Sequence, residues 1–314
     1  MPLVHVRGMR SVSLSLLLLT APVAAARAQA DADSVQLGTW SEADWRILTD
    51  KVRWAAGLGF DTMPLGASIA GVARSFVGTP YTPGTLEQPG PERLVINLHE
   101  LDCVTFIENV LALTAFVRRD GTRLLDDPLA ARARYATYLR QIRYRDATVN
   151  GYPSRLHYFT DWLREGESVG RVQLVTVALG GTEVLEPIEF MSTHAAAYPA
   201  LADSANLDAI RGVERRLNAA PPRVVLHKDR IAAVADSIRD GDVIAAGSTV
   251  PGLDVVHTGF AVWENGRLHL LHAPLKGTVV EISTLPLADR IQTIESQSGI
   301  LVARPQPAWF QPTR

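Results

Sequence analysis

Apolar positions recur at helical spacing through the first part of the chain and alternate through its last third. Trp45, Leu48 and Val52 follow Ser41, a good N-cap, with Asp44 in the first turn, and predict a helix starting at residue 41. Ile69, Val72 and Phe76 predict a second helix over 67–76, which stops at Gly78-Thr79-Pro80-Tyr81 and gives way to a Pro- and Gly-rich loop ending at Pro91. Leu94-Val95-Ile96 reads as a short strand. From Asp102 the pattern is helical again, apolar at Val104, Ile107 and Leu111 and also at Phe106, Val110 and Leu113. A helix apolar around most of its circumference belongs inside a core. Helices are expected over 127–143 and 203–218, and strands over 172–178, 223–226, 242–246, 256–263, 267–274, 278–283 and 299–304. No internal repeat or clean linker interrupts the chain. Helices first and strands last predict an α+β fold, not a doubly wound parallel sheet.

Length and charge narrow the function. The chain has 314 residues, with 31 Lys and Arg against 33 Asp and Glu for a net charge of −2. That balance argues against a nucleic-acid binder, which carries a basic excess or stripe. Arg7 and Arg10 precede an apolar run from Val12 to Leu19, and Ala28-Gln29-Ala30 supplies the small residues of a cleavage site. Residues 1–30 are therefore expected to be a secretory signal cut after Ala30, leaving residues 31–314 as one catalytic domain, periplasmic or secreted. The apolar run is shorter than the roughly 20 residues of a spanning helix. With no cysteine near the cleavage site to carry a lipid, a lipoprotein is not expected, and no later segment reads as an integral membrane span.

The one cysteine of the chain, Cys103, can form no intrachain disulfide and no multi-cysteine metal site. It directly follows Asp102, a good N-cap, at the head of the predicted central helix. Amide N–H groups and the macrodipole at a helix N-terminus favour an anion, so the position suits a thiolate nucleophile and an oxyanion. A buried cysteine acting as a small hydrophobe is the bland alternative.

A cysteine nucleophile needs a base, and the base needs a partner that orients it. His257 and His272 flank Asn265-Gly266, a strong hairpin signal. With those two residues as the loop, Glu264 pairs with Arg267, and His272 falls opposite Gly259. His257 shares a face with Gly259, which puts the two histidines on one diagonal, about 7–8 Å apart at the backbone. Gly259 leaves space for an imidazole to lean across. His269 points to the opposite face and is expected to be structural, while His99 and His227 have no evident partner. Two zinc ligands are the alternative, with Cys103 or Asp254 as the third, although no HExxH spacing occurs. No metal or other cofactor is expected.

Together these segments resemble the NlpC-type, papain-like cell-wall peptidases and amidases. The resemblance rests on Gly78-Thr79-Pro80-Tyr81, Asp102-Cys103, Gly241-Asp242-Val243-Ile244, His257-Thr258-Gly259 and His272-Ala273, in that order. The usual Asp-Cys-Ser-Gly reads Asp102-Cys103-Val104-Thr105, and a long segment separates the cysteine helix from Gly241. Both departures, with Ser154 to Trp162 and Phe190 to His194, are similar to the N-acetylmuramoyl-L-alanine amidase-like branch. The resemblance implies a core over about 65–118 and 240–304 with a specificity insertion over about 119–239. It also implies a peptidoglycan-fragment substrate, cut between N-acetylmuramic acid, in its 1,6-anhydro form for some substrates, and L-alanine. Cys103 would attack, His257 would move the proton, and His272 would orient His257 as a neutral partner. Tyr81 and Asp102 would support the oxyanion and the helix head, and Arg155, His157, Tyr158, Ser192 and His194 would contact substrate. Arg155 suits a carboxyl group through paired hydrogen bonds, with pairing to Asp161 as its structural alternative.

The same triad would serve an endopeptidase cutting between D-glutamate and the diamino acid of the stem peptide. A non-catalytic wall-binding protein is the alternative from another class, and retention of Cys103, His257 and His272 together argues against it. About 35 residues between signal and core are too few for a separate wall-binding domain, so soluble muropeptides are the expected partners.

Overall fold

A computed structural model describes residues 37–275 and 278–312, so the predicted signal, residues 1–30, lies outside the described residues. The helices come first. α1 (Glu42–Gly57) starts from a reciprocal cap between Ser41 and Asp44, and α2 (Leu65–Arg74) follows from Pro64. α3 (Cys103–Arg119) is buried without interruption from Thr105 to Val117, as its all-round apolar pattern requires. α4 (Pro128–Arg143) is capped by Asp127 and starts on a proline, whose missing N–H costs nothing there. α5 (Phe159–Ser168), β1 (Val172–Leu174), β2 (Thr182–Val184), α6 (Ser204–Ala219) and β3 (Arg223–His227) fill the middle of the chain. β4 (Val243–Ser248), β5 (Val255–Glu264), β6 (Arg267–His272), β7 (Glu281–Ile282), α7 (Leu287–Gln292) and β8 (Gln297–Pro305) complete it.

The fold is α+β with an antiparallel sheet in the order β2-β3-β8-β4-β5-β6-β7, and β1 also pairs with β8. Strand alternation gives the sheet two apolar faces. Val243, Ala245, Phe260, Val262 and Leu271 face the helical layer, where Phe106 of α3 meets Phe260 edge-on at 5.7 Å between ring centroids. Ile244, Ala246, Ala261, Leu270 and Val302 face the other way, onto Ile231, Leu287 and Ile291. A third cluster, with Tyr158, Met191, Ile210 and Leu217, fills the segment between α5 and α6.

The hairpin register follows the sequence. Glu264 lies opposite Arg267 and Phe260 opposite Leu271, with Asn265 and Gly266 at φ 50° and 78° in the turn. Beyond β6, which ends at His272 and not at 274, three expected strands are much shorter than predicted. Residues 94–96 make only a bridge, Val95 to Thr39. The strand from Val172 ends at Leu174, because Thr176 and Gly181 close a turn. β7 spans two residues, because Val280 hydrogen-bonds to Thr79 and Gly78 and not to β6. α5 was not predicted as a helix. Its Thr160 amide donates to the Asp254 carboxylate at 2.6 Å, a partner 94 residues away.

Candidate active site

Cys103 is the first residue of α3 and is half-buried. Its helix head differs from the expectation of free amides. The Asp102 carboxylate accepts from the Val104 and Thr105 amides at 3.0 and 2.7 Å, and the Thr105 hydroxyl accepts from the Asp102 amide. The donors that were to hold an anion are occupied by a carboxylate one residue from the sulfur. Burial, and then the Asp102 charge, push the thiol up to about 11, with hydrogen bonds from Thr258 opposing them. Burial and the Asp102 charge thus oppose the thiolate that the helix N-terminus was expected to favour.

The two histidines stand where the hairpin arithmetic puts them. His257 Nε2 lies 2.7 Å from His272 Nδ1, with the rings nearly perpendicular and their centroids 4.9 Å apart. A Cβ added to Gly259 would lie 2.7 Å from the Leu271 carbonyl oxygen and 3.0 Å from His272 Cβ, so no side chain fits there. Burial, then the Arg290 cation, lowers His257 to about 3; burial, then His257 and Arg290, lowers His272 to about 2. Both imidazoles are neutral at physiological pH. β5 touches the head of α3 directly, since the Thr258 hydroxyl donates to the Cys103 carbonyl at 2.8 Å. His257 is thus the immediate neighbour of a residue bonded to Cys103.

Tyr81 is brought to the same place by its backbone. Leu101 donates to the Pro80 carbonyl, Thr82 to the Leu101 carbonyl, and Tyr81 to the Thr278 carbonyl at 2.7 Å. The strip therefore bridges the residues just before Cys103 and those just after His272. Burial, then Cys103 and Asp102, push the phenol up to about 12, which keeps the hydroxyl a donor.

The expected substrate contacts are placed unevenly. Arg155 is 6 % exposed, 2.5 Å from Glu87 and 3.6 Å from Glu92, and lies over the Tyr152 ring. Asp161, its alternative partner, pairs with Arg145 instead. His157 donates Nε2–H to the Tyr152 carbonyl at 2.8 Å, and burial, then Arg155, lowers it to about 3. Tyr158 is withdrawn into the core: its hydroxyl donates to Glu214 at 2.7 Å and accepts from the Met191 amide at 2.8 Å. It supports the turn Phe190–Thr193 and is only 2 % exposed. Ser192 donates its amide to Glu214, and exposed His194 stacks on Phe190 with centroids 4.1 Å apart. This turn is tied to the approach to β5, because the Glu189 and Phe190 amides both donate to the Gly252 carbonyl at 3.0 Å.

Among the described residues no group of three His, Cys, Asp or Glu side chains is placed to hold a metal ion. Asp254, the zinc alternative, is 1 % exposed and caps α5. His269 bonds the Ser283 carbonyl at 2.8 Å, and His99 meets Asp44 at 2.8 Å, a partner the sequence did not reveal. His227 lies 3.2 Å from Asp229. Glu281 and Arg290, which flank His272, were also missed, since neither belongs to a local motif.

Three neutral imidazoles, one buried and two half-buried, make the fold acid-sensitive. His157, His257 and His272 all have folded-state values below the unfolded 6.5. The unfolded chain binds their protons first, so their contribution is complete above about pH 6.5 and is lost as pH falls from there toward 3. Urea unfolding should show a midpoint that drops steadily below pH 6.5. A flat midpoint down to pH 4 would show that the three rings are not held neutral.

The model of the AmiA-like, N-acetylmuramoyl-L-alanine amidase-like family matches residues 71–300. Among solved structures, an N-acetylmuramoyl-L-alanine amidase from Bacteroides uniformis is 34 % identical, with a TM-score of 0.67 over 77 % of this chain and 98 % of that one. A protein from Bacteroides fragilis described as a putative xylanase is also 34 % identical, with a TM-score of 0.67 over 74 % and 99 % of the two chains. A Legionella pneumophila protein shares the fold at 17 % identity, with a TM-score of 0.62 over 83 % and 95 %. Among curated proteins none matches the chain. Among the described residues no helix is long and apolar enough to cross a membrane.

Proposed function

Because the chain belongs to the N-acetylmuramoyl-L-alanine amidase-like family, we propose that it is an exported, cysteine-dependent amidase. Its substrate is a soluble muropeptide, cut between N-acetylmuramic acid and L-alanine. The observation that carries this is the His257–His272 contact of 2.7 Å on a strand whose next residue, Thr258, is bonded to Cys103. A thiol, a base and the base's partner are what acyl transfer from an amide requires. The NlpC-type, papain-like assignment and the view of residues 119–239 as a specificity insertion belong to the same proposal.

The chemistry follows from the protonation states. A thiol pushed up to about 11 beside an imidazole lowered to about 3 does not rest as an ion pair. His257 therefore takes the Cys103 proton as sulfur adds to the lactyl carbonyl of the muramic acid. The oxyanion meets the Cys103 amide, which Asp102 leaves unengaged in its capping, and the Tyr81 hydroxyl. His257 then gives the proton to the alanine nitrogen, the C–N bond breaks, and the stem peptide leaves. Water adds to the thioester with His257 as base, freeing the disaccharide acid and restoring the thiol.

Incubating the protein with defined muropeptides and reading the products by mass spectrometry tests the proposal. The expected products are a disaccharide and an intact stem peptide beginning with L-alanine. Peptides cut after D-glutamate would instead make it an endopeptidase with the same triad. Binding without cleavage would make it a wall-binding protein.

A further inference from the structure

His257, His272 and Glu281 form a row across three adjacent strands. β6 and β7 pair His272 directly with Glu281, and directly opposed residues of an antiparallel pair share a face. His257, on β5, reaches the near side of the His272 ring at Nδ1. The far side of that ring is Nε2, which is buried and has no hydrogen-bond partner among the described residues. The Glu281 carboxylate is 4.0 Å from it, on a side chain 42 % exposed and so able to rotate.

We infer that Glu281 is the positioning residue of the site: it accepts the His272 Nε2 proton and thereby fixes the tautomers of both histidines. This inference rests on the Cys103–His257–His272 reading. A neutral imidazole carries one N–H. With the His272 proton held at Nε2, its Nδ1 is an acceptor, and His257 must donate from Nε2. That leaves His257 Nδ1, the nitrogen turned away from His272, as the lone pair that can take the thiol proton. Without an acceptor at Nε2, His272 can place its proton on Nδ1 instead. His257 would then accept at Nε2, carry its own proton on Nδ1, and fail as a base. The 2.7 Å contact survives in both arrangements, so only the outer partner distinguishes them. Other charged groups do not substitute for Glu281. Arg290, on α7, acts on both rings as a cation and offers only donors, while Asp102 and Cys103 lie at the head of α3. A buried ring N–H with no acceptor is also costly, which favours closing the remaining gap to Glu281.

The test compares the wild type with Glu281→Ala and Glu281→Gln. In the wild type, nitrogen-15 spectra of the histidine rings should show His272 protonated at Nε2 and His257 unprotonated at Nδ1. In Glu281→Ala the His272 signals should move toward a mixture of tautomers, with kcat on muropeptide down about tenfold and KM unchanged within about twofold. Glu281→Gln keeps a carbonyl acceptor and should retain the wild-type tautomer and kcat to within about threefold. A merely structural side chain would lower the melting temperature in both variants and would not be rescued by glutamine. An unchanged kcat in Glu281→Ala, or a wild-type His272 protonated at Nδ1, overturns the inference. The ring spectra need no substrate. A protein that leaves muropeptides intact yet shows the wild-type tautomer pattern lost in Glu281→Ala would overturn the substrate proposal and support this inference.

Discussion

Cys103→Ala is expected to lower kcat/KM on muropeptide by a factor on the order of 10⁴ or more, with the fold intact. That factor corresponds to about 5.5 kcal/mol of lost transition-state stabilisation, far more than any one binding contact supplies. It follows from the division of labour in the site. Neither imidazole can replace the nucleophile, and a neutral His257 beside alanine has no thiol proton to accept. Stability should barely move, because Cys103 is half-buried at the first position of α3 and the Asp102 cap does not use its side chain. Alanine is also the best helix former. The check is a rate measurement beside a thermal melt, with the melting temperature expected within about 2 °C of wild type. Loss of activity together with loss of fold, or retained cleavage, would each remove Cys103 from the mechanism.

Glu108→Ala is expected to destabilise the protein by about 3–5 kcal/mol, a large share of the roughly 5–15 kcal/mol that holds a typical domain together. Glu108 and Arg143 are 2 % and 1 % exposed and meet at 2.7 Å between α3 and α4. Arg143 also donates to the Val95 carbonyl at 2.6 Å. Burial raises the Glu108 carboxyl, and Arg143 is the main influence opposing it. Removing the carboxylate strands a guanidinium in the core. Urea unfolding should show the loss as a lower midpoint with an unchanged slope. Glu108→Leu combined with Arg143→Met should recover most of the stability, because a buried ion pair and a well-packed apolar pair of similar volume are close in energy. If the double variant is no better than Glu108→Ala, the pair contributes more than its mutual compensation. The site would feel the loss as well, since α3 carries Cys103 at its head.

The histidine pair was legible because its determinants are local. Asn265-Gly266 sets the turn, the turn sets the register, and the two-residue period then puts His257 and His272 on one face. The central helix was equally legible from its all-round apolar pattern and its Asp102 cap. That cap also shows where a sequence reading fails. The residue that announces the helix start occupies the amides that were expected to greet an anion. Contacts over long separations were beyond reach. Arg155 finds Glu87 and Glu92 and not nearby Asp161, because the loop after Tyr81 folds back over it. α5 draws its cap from Asp254, so no signal in its own sequence marks its start. Tyr158 read as a ligand contact because an aromatic hydroxyl in a motif looks the same whether it faces a cleft or a buried glutamate. Only packing against α6 decides.

The Asp254 cap has a bearing on how this chain can change through time. A carboxylate on the approach to the histidine strand is completed by an amide of α5, and the Gly252 carbonyl beside it is completed by Glu189 and Phe190. The segment between α4 and β4 is therefore tied to the approach to β5 by these hydrogen bonds. A shuffled copy that kept the last strands but received a foreign middle would cost buried Asp254 its Thr160 donor, directly before the strand that holds His257. Substitutions near positions 160 and 190 are then expected to be coupled to those at 252–254. Lineages of this protein should differ in the lining of the middle segment far more than in its length or point of attachment.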